Sequence, residues 1–176
     1  EFQNNSNFSF IEDTITNFDV CLKATKNVDY VFHEAALGSV PRSMKFPLIY
    51  EENNVRGSSN IFEAARKNNV KRVIYASRSS VYGNDTNEWK KEYREGDLLS
   101  IYALSKKVVE YYARVYRDVF GLDTIGLRYF NVFGPKQKID GPYAAVIPRF
   151  IINSLSGKQS EIHGDGTQSR DFTYIY

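Results

Sequence analysis

Cysteine is almost missing from this chain: Cys21 stands alone among 176 residues. That rules out an intramolecular disulfide and suits a reducing compartment, so a cytoplasmic location is the expectation. An excess of charge of one sign is missing too. Lys and Arg total 23 against 21 Asp and Glu, for a net charge of +2. Such a balance supplies no electrostatic footprint for nucleic acid or an anionic membrane surface. No apolar run approaches the about 20 residues that a membrane-spanning helix needs, and the opening Glu-Phe-Gln-Asn-Asn-Ser does not read as a signal peptide. Histidine is scarce, and neither His33 nor His163 makes a metal-ligand spacing with Cys21. No metal is expected. The chain has no internal repeat and no low-complexity tract. It begins at Glu1 and stops at Tyr174-Ile175-Tyr176, inside an apolar, β-prone stretch, and so reads as a piece of a longer protein.

What is present is ordinary for a globular protein with a core: 42% hydrophobic and 25% charged residues. Phe8–Ile11 reads as a short strand and Phe18–Thr25 as a short helix. Val28–His33 is a compact β-branched and aromatic run, hence a buried strand, with His33 a packed, hydrogen-bonded core histidine. A loop holding Gly38 and Pro41 precedes a helix over about Leu48–Asn68. Val70–Ala76 is the next strand, and 84–97 is polar and aperiodic. A long helix follows over about Ile101–Phe120, with apolar Leu104, Val108, Tyr112, Val115 and Val119 at helical spacing and Gly121 as its stop. Thr124–Phe130 is a strand, Pro148–Leu155 a helix, and Glu161–His163 and Phe172–Ile175 are short strands around Gly164-Asp165-Gly166. The alternation implies an α/β fold: a partial Rossmann-like parallel sheet with flanking helices, over 1–134, and the start of a small substrate-binding region over 135–176. In such sheets ligands bind beyond the carboxyl ends of the strands. His33-Glu34-Ala35-Ala36, Ser77-Arg78-Ser79-Ser80 and Asn131-Val132-Phe133-Gly134 all fall there.

Tyr102 and Lys106 stand four apart at the start of the long helix, on one face of it. A free tyrosine titrates near 10, too high for a base at neutral pH, and a fixed cation beside it favours the phenolate. The pair therefore predicts a proton-transfer tyrosine.

Five motifs occur in order: Val-Phe-His-Glu-Ala-Ala, Ser-Ser-Val-Tyr-Gly, Tyr102-x-x-x-Lys106, Leu-Arg-Tyr-Phe-Asn-Val-Phe-Gly-Pro and Gly-Asp-Gly-Thr-Gln-Ser-Arg-Asp-Phe. With them the chain resembles the extended short-chain dehydrogenase/reductases, specifically the NAD-dependent epimerase/dehydratases of nucleotide sugars. The stretches Ala35–Ser43 and Tyr143–Pro148 look most like bacterial UDP-N-acetylglucosamine 4-epimerases of surface-polysaccharide pathways. The resemblance implies that Tyr102 takes the proton of the sugar 4-hydroxyl while hydride passes from C4 to NAD, and that Lys106 lowers the Tyr102 pKa and binds the nicotinamide ribose. It implies NAD contacts at Thr14, Ile15, Ala35, Ala36, Leu37 and Tyr129. Substrate contacts are implied at Gly38, Ser39, at Asn131 and Arg170 on the diphosphate, and at Ala145 and Val146 along the nucleotide. A UDP-sugar substrate and a homodimer paired through the Tyr-x-x-x-Lys helix complete the expectation.

Three features depart from the family pattern. The glycine-rich Gly-x-x-Gly-x-x-Gly turn that cradles a pyrophosphate is absent. Thr14 replaces the aspartate expected near the adenine. Arg78 occupies the place of the helper Ser or Thr, four residues before Tyr82, with Ser79 the first substitute. Dehydratases of the superfamily carry an Asp-Glu pair where this chain has Ser79-Ser80, which weighs against elimination. A sugar dehydratase, a uronate epimerase and a non-catalytic relic are the alternatives.

Overall fold

In the computed structural model, which describes residues 5–137, 146–162 and 164–176, helix α1 (Phe18–Ala24) leads into strand β1 (Tyr30–His33). Helix α2 (Val40–Lys45) and the single turn α3 (Pro47–Tyr50) run into a π-helical stretch, Glu51–Arg56, and on without a break into α4 (Gly57–Lys67). Strand β2 (Arg72–Arg78), a 3₁₀ turn at Ser79–Tyr82, helix α5 (Ile101–Phe120) and strand β3 (Thr124–Tyr129) follow. Strand β4 (Asn131–Phe133), helix α6 (Val146–Leu155) and strand β5 (Phe172–Tyr174) close the order.

The strands β1, β2 and β3 form one parallel sheet in sequence order. Two successive βαβ crossovers, through α4 and α5, impose that arrangement, because parallel neighbours need a long connection. The core lies on one face of the sheet. Val73 and Tyr75 of β2 meet Ile61, Phe62 and Ala65 of α4 and Val109 and Ala113 of α5. Phe62 is fully buried, with Tyr75 edge-on at 5.7 Å. On the opposite face Phe32, Ile74 and Ile125 stand in register, yet Phe32 is 72% exposed and Ile125 and Leu127 are exposed as well. A parallel sheet is normally covered on both faces; the described residues cover one. Strands β4 and β5 pair in a separate parallel ladder that starts at Asn131.

Several sequence expectations shift. Phe8–Ile11 has no regular structure, and Phe10 is 73% exposed. Glu161 and Ile162 likewise have no regular structure, and His163 lies outside the described residues. The loop around Pro41 is instead a helical turn, because Pro41 sits in the first turn where a missing N–H costs nothing. Strand β2 begins two residues late, since the Val70 amide still donates to the Ala65 carbonyl and closes the end of α4 at 2.9 Å. It also runs two residues further, because Ser77 and Arg78 pair with Arg128 and Tyr129 of β3. In α5 the large apolar stripe faces outward: Leu104, Tyr112, Val115 and Val119 are exposed, while Ala103, Lys106, Val109 and Ala113 are buried. Small residues face the sheet because α5 packs closely on it, and Thr124 of β3 donates its hydroxyl to the Ala113 carbonyl at 3.1 Å.

His33 is one of the buried polar residues beside this core. Its Nε2 lies 2.8 Å from the Ser58 hydroxyl, and that hydroxyl donates to the Asn54 carbonyl. Burial, with the Lys106 charge adding to it, lowers the His33 pKa from 6.5 to about 4. The folded state thus binds fewer protons than the unfolded chain between those values. Stability is complete above about pH 6.5 and drains as pH falls toward 4. Unfolding by denaturant at pH 7 and pH 5 should show a loss of about 2 kcal/mol at the lower pH, and His33→Asn should flatten that dependence.

Candidate functional site

The carboxyl ends of β1, β2 and β3 and the start of α5 converge on a cleft of about 820 Å³. Gly38, Ser39, Arg78, Ser79, Ser80, Tyr102, Asn131 and Arg170 are among its walls. Helix α5 begins there because Ser100 caps it, accepting from the Ala103 amide at 3.1 Å. The Tyr102 amide is held by the Ser43 hydroxyl at 3.1 Å. Gly83, next to Tyr82, closes the β2 turn with φ +58°, and a Cβ there would run into the Asp97 carbonyl. Only glycine fits that approach.

Tyr102 is half-buried, and its phenol oxygen has no hydrogen-bond partner among the described residues. Tyr50 stands edge-on to it at 6.4 Å, fully buried. The Tyr50 hydroxyl donates to the carbonyls of Gly38 and Ser39 and so ties their loop over the phenol. Ser39 adopts φ +72°, a strained conformation for a non-glycine residue that such ties sustain. Lys106 is buried, and its ammonium donates to the Ala76 carbonyl at 2.9 Å. Burial lowers its pKa to about 8, with Glu34 opposing and Arg78 assisting.

The expectation that Lys106 acidifies Tyr102 is corrected here. Burial raises the Tyr102 pKa, and the cation that opposes this is Arg78. The Lys106 ammonium is engaged by the β2 backbone instead.

Ala35 and Ala36 lie exposed beyond β1 with Leu37 half-buried after them. Tyr129, at the end of β3, donates to Glu34 at 3.4 Å, which brings it to the same strand ends. Asn131 is occupied: its Oδ1 accepts from Arg78 at 3.1 Å and its Nδ2 donates to the Asp171 carbonyl at 3.0 Å. Arg170 is exposed at the cleft, donating to the Ser169 carbonyl. Val146 opens α6 beside Arg78 and Asn131, in a smaller adjoining cavity; Ala145 lies outside the described residues. Thr14 and Ile15 stand apart from this cluster. Thr14 sits in an exposed turn, and Ile15 packs its side chain against Gly57.

Two positioning residues escaped the sequence reading. Buried Asn54, in the π-helical stretch, accepts from the Leu37 amide at 2.8 Å and donates to the Leu37 carbonyl and the Ser105 hydroxyl. It clamps the Ala35–Leu37 loop to α5. The signal was a polar residue on the inward side of a helix. Glu110 accepts from Ser77 at 2.6 Å and from both Arg128 and Lys107. Burial would raise its pKa, but the hydrogen bonds from Arg128 and Ser77 outweigh that and hold it low.

The residues present fit the nicotinamide end of NAD. A buried ammonium with one protein acceptor keeps two donors for hydroxyls, exposed alanines allow close approach, and the buried Ser80 hydroxyl has no partner among the described residues. A βαβ sheet with a helical tyrosine and lysine at its strand ends defines a dinucleotide-using α/β protein. The chain belongs to the NAD dependent epimerase/dehydratase family, which it matches over residues 1–176. It is 36% identical to a UDP-glucuronate 4-epimerase of Thermodesulfobacterium geofontis, over 99% of this chain and 54% of that protein. The chain thus spans about half the length of the curated relatives it matches. Among solved structures it is similar to the UDP-N-acetylglucosamine 4-epimerase of Methanobrevibacter ruminantium in complex with UDP-N-acetylmuramic acid. That match has TM-score 0.92 and 46% identity, covering 97% of this chain and 55% of that one. The UDP-glucuronic acid 4-epimerase of Bacillus cereus, with UDP-glucuronic acid and NAD, follows at TM-score 0.87 and 35% identity, covering 99% and 54%.

Replacing Asn54 with Ala strands the Leu37 amide and carbonyl. The variant should lose about 2–3 kcal/mol in denaturant unfolding, with faster hydrogen exchange at the Leu37 amide.

Proposed function

We propose that the protein is an NAD-dependent nucleotide-sugar epimerase that interconverts UDP-N-acetylglucosamine and UDP-N-acetylgalactosamine. The observation that carries this reading is the unpartnered Tyr102 phenol facing a cleft at the strand ends, with the buried Lys106 four residues on. The likeness to an enzyme named for UDP-N-acetylglucosamine supports the substrate class.

Tyr102 holds the proton of the sugar 4-hydroxyl. NAD, when bound, supplies the hydride acceptor and donor at C4, with the organic chemistry its own. Lys106 would hold the cofactor's ribose hydroxyls with the ammonium donors that Ala76 leaves. Ala35, Ala36, Leu37 and Tyr129 would line the cofactor, with Thr14 and Ile15 assigned to its adenine end. Gly38 and Ser39 would bound the sugar, and Ser79 and Ser80 would offer hydroxyls to it. The buried Ser80 hydroxyl has no partner among the described residues. Asn131 and Arg170 would meet the diphosphate, and Ala145 and Val146 the nucleotide. In the chain alone burial keeps the phenol protonated, and Arg78 is the cation that favours the phenolate. Neutral Ser79 and Ser80 supply no carboxyl acid for elimination, which favours epimerisation over dehydration.

The exposed α5 stripe supports a homodimer. Leu104 and Val108 share an apolar groove with Pro47, Leu48 and Val55, and Val115 and Val119 extend it. A second copy pairing helix to helix would bury it.

Tyr102→Phe should lower kcat by about 10²–10⁴-fold while NAD and UDP binding persist. A coupled assay for the C4 epimer, with binding by calorimetry, reads both; wild-type turnover in that variant would remove Tyr102 from the reaction. By light scattering the protein should be a dimer, and Val115→Glu with Leu104→Glu should make it a monomer.

A further inference from the structure

Arg78 and Asn131 line both the cleft of about 820 Å³ and the smaller cavity of about 220 Å³ beside it. Tyr102, Ser79 and Ser80 stand in the large one. Val132, Phe133, Val146, Ile147 and Phe172 give the small one apolar walls. A molecule with a sugar at Tyr102 and a flat base between those apolar walls must carry its linker past the two residues that the cavities share.

Arg78 is equipped to hold an anionic linker. Its Nη1 donates to the Phe130 carbonyl at 2.8 Å and its Nη2 to Asn131 Oδ1 at 3.1 Å. Both acceptors are neutral. Among the described residues no carboxylate pairs with Arg78, whereas Arg66, Arg72, Arg117 and Arg128 each have one. A guanidinium carries five N–H donors in a planar fork, so the two bonds to protein leave three. The Asn131 amide is itself oriented, because its Nδ2 donates to the Asp171 carbonyl at 3.0 Å while its Oδ1 faces Arg78. The fork is thereby held in place before any ligand arrives, which suits bidentate binding of a phosphate. Among the described residues that line the cleft, the other charged side chain is Arg170, and there is no carboxylate.

We infer that Arg78 joins Arg170 in gripping the diphosphate of the UDP-sugar, with Asn131 as the residue that steers its guanidinium. The assignment rests on the UDP-sugar reading above and adds a second arginine to it. A serine or threonine in the same place would offer the linker one neutral hydroxyl, where Arg78 offers a fork and a full charge.

The test uses the full-length protein with NAD. Dissociation constants are measured for UDP by calorimetry and for uridine, which has no phosphate, by ligand-observed NMR. Arg78→Met should weaken UDP binding about 10–100-fold and leave uridine binding unchanged. Arg78→Lys, which keeps the charge and loses the fork, should fall between the wild type and Arg78→Met. UDP binding as tight in Arg78→Met as in the wild type overturns the inference and leaves the UDP-sugar reading standing. An equal loss of UDP and uridine overturns it too, since Arg78 would then only hold the cavity wall together. If the wild type binds neither UDP nor uridine, the UDP-sugar reading fails, and this inference with it.

Discussion

The bond from the Lys106 ammonium to the Ala76 carbonyl is the constraint on which the site depends. It joins α5 to the β2 backbone at the end where ligands approach, and it holds a cation where water is scarce. A buried charge without a full set of partners is costly, and the protein answers in two ways. The pKa of Lys106 falls to about 8, and two ammonium donors remain for a guest. The same cation bears on His33 behind it, where it adds to the burial that keeps the imidazole neutral. One lysine therefore couples the stability of the core to the readiness of the cleft.

Around that bond the scaffold is rigid where the chemistry needs it. Asn54 fixes the loop after β1 to α5, Tyr50 fixes Gly38 and Ser39 over the phenol, and Glu110 gathers Ser77, Lys107 and Arg128 behind β2. These are buried polar groups with their partners in place, which is the condition under which such networks specify one geometry. The bare face of the sheet, with Phe32, Ile125 and Leu127 exposed, contrasts with them. Tyr102 and Lys106 stand at the strand ends of this chain, while the glycine-rich turn that meets a pyrophosphate is not among its residues.

Much of this was legible in the residues because local signals agree. Ser100 before α5 and Gly121 after it bracket the helix, so Tyr102 and Lys106 were placed correctly from spacing alone. The βαβ alternation gave the parallel sheet. What spacing could not tell was which side of α5 faces in. The large residues looked like the core face, yet the inward side of α5 carries Ala103, Ser105, Val109 and Ala113 with the long-stemmed Lys106 and Lys107. Nor could it show that the acidifying neighbour of Tyr102 is Arg78, because the direction of a lysine side chain depends on a backbone carbonyl from another strand. Asn54 escaped notice for a similar reason: its partners lie 17 and 51 residues away in sequence. Arg78 stood out as a departure from pattern, but its two neutral acceptors appear only in three dimensions.

Lys106 is a buried cation with one protein acceptor among the described residues. The most direct measurement is an NMR titration of its ε-ammonium. A midpoint near 8 is expected, well below the 10.5 of an ordinary lysine. A midpoint at the ordinary value would mean that the ammonium is solvated, and the site as described here would be wrong.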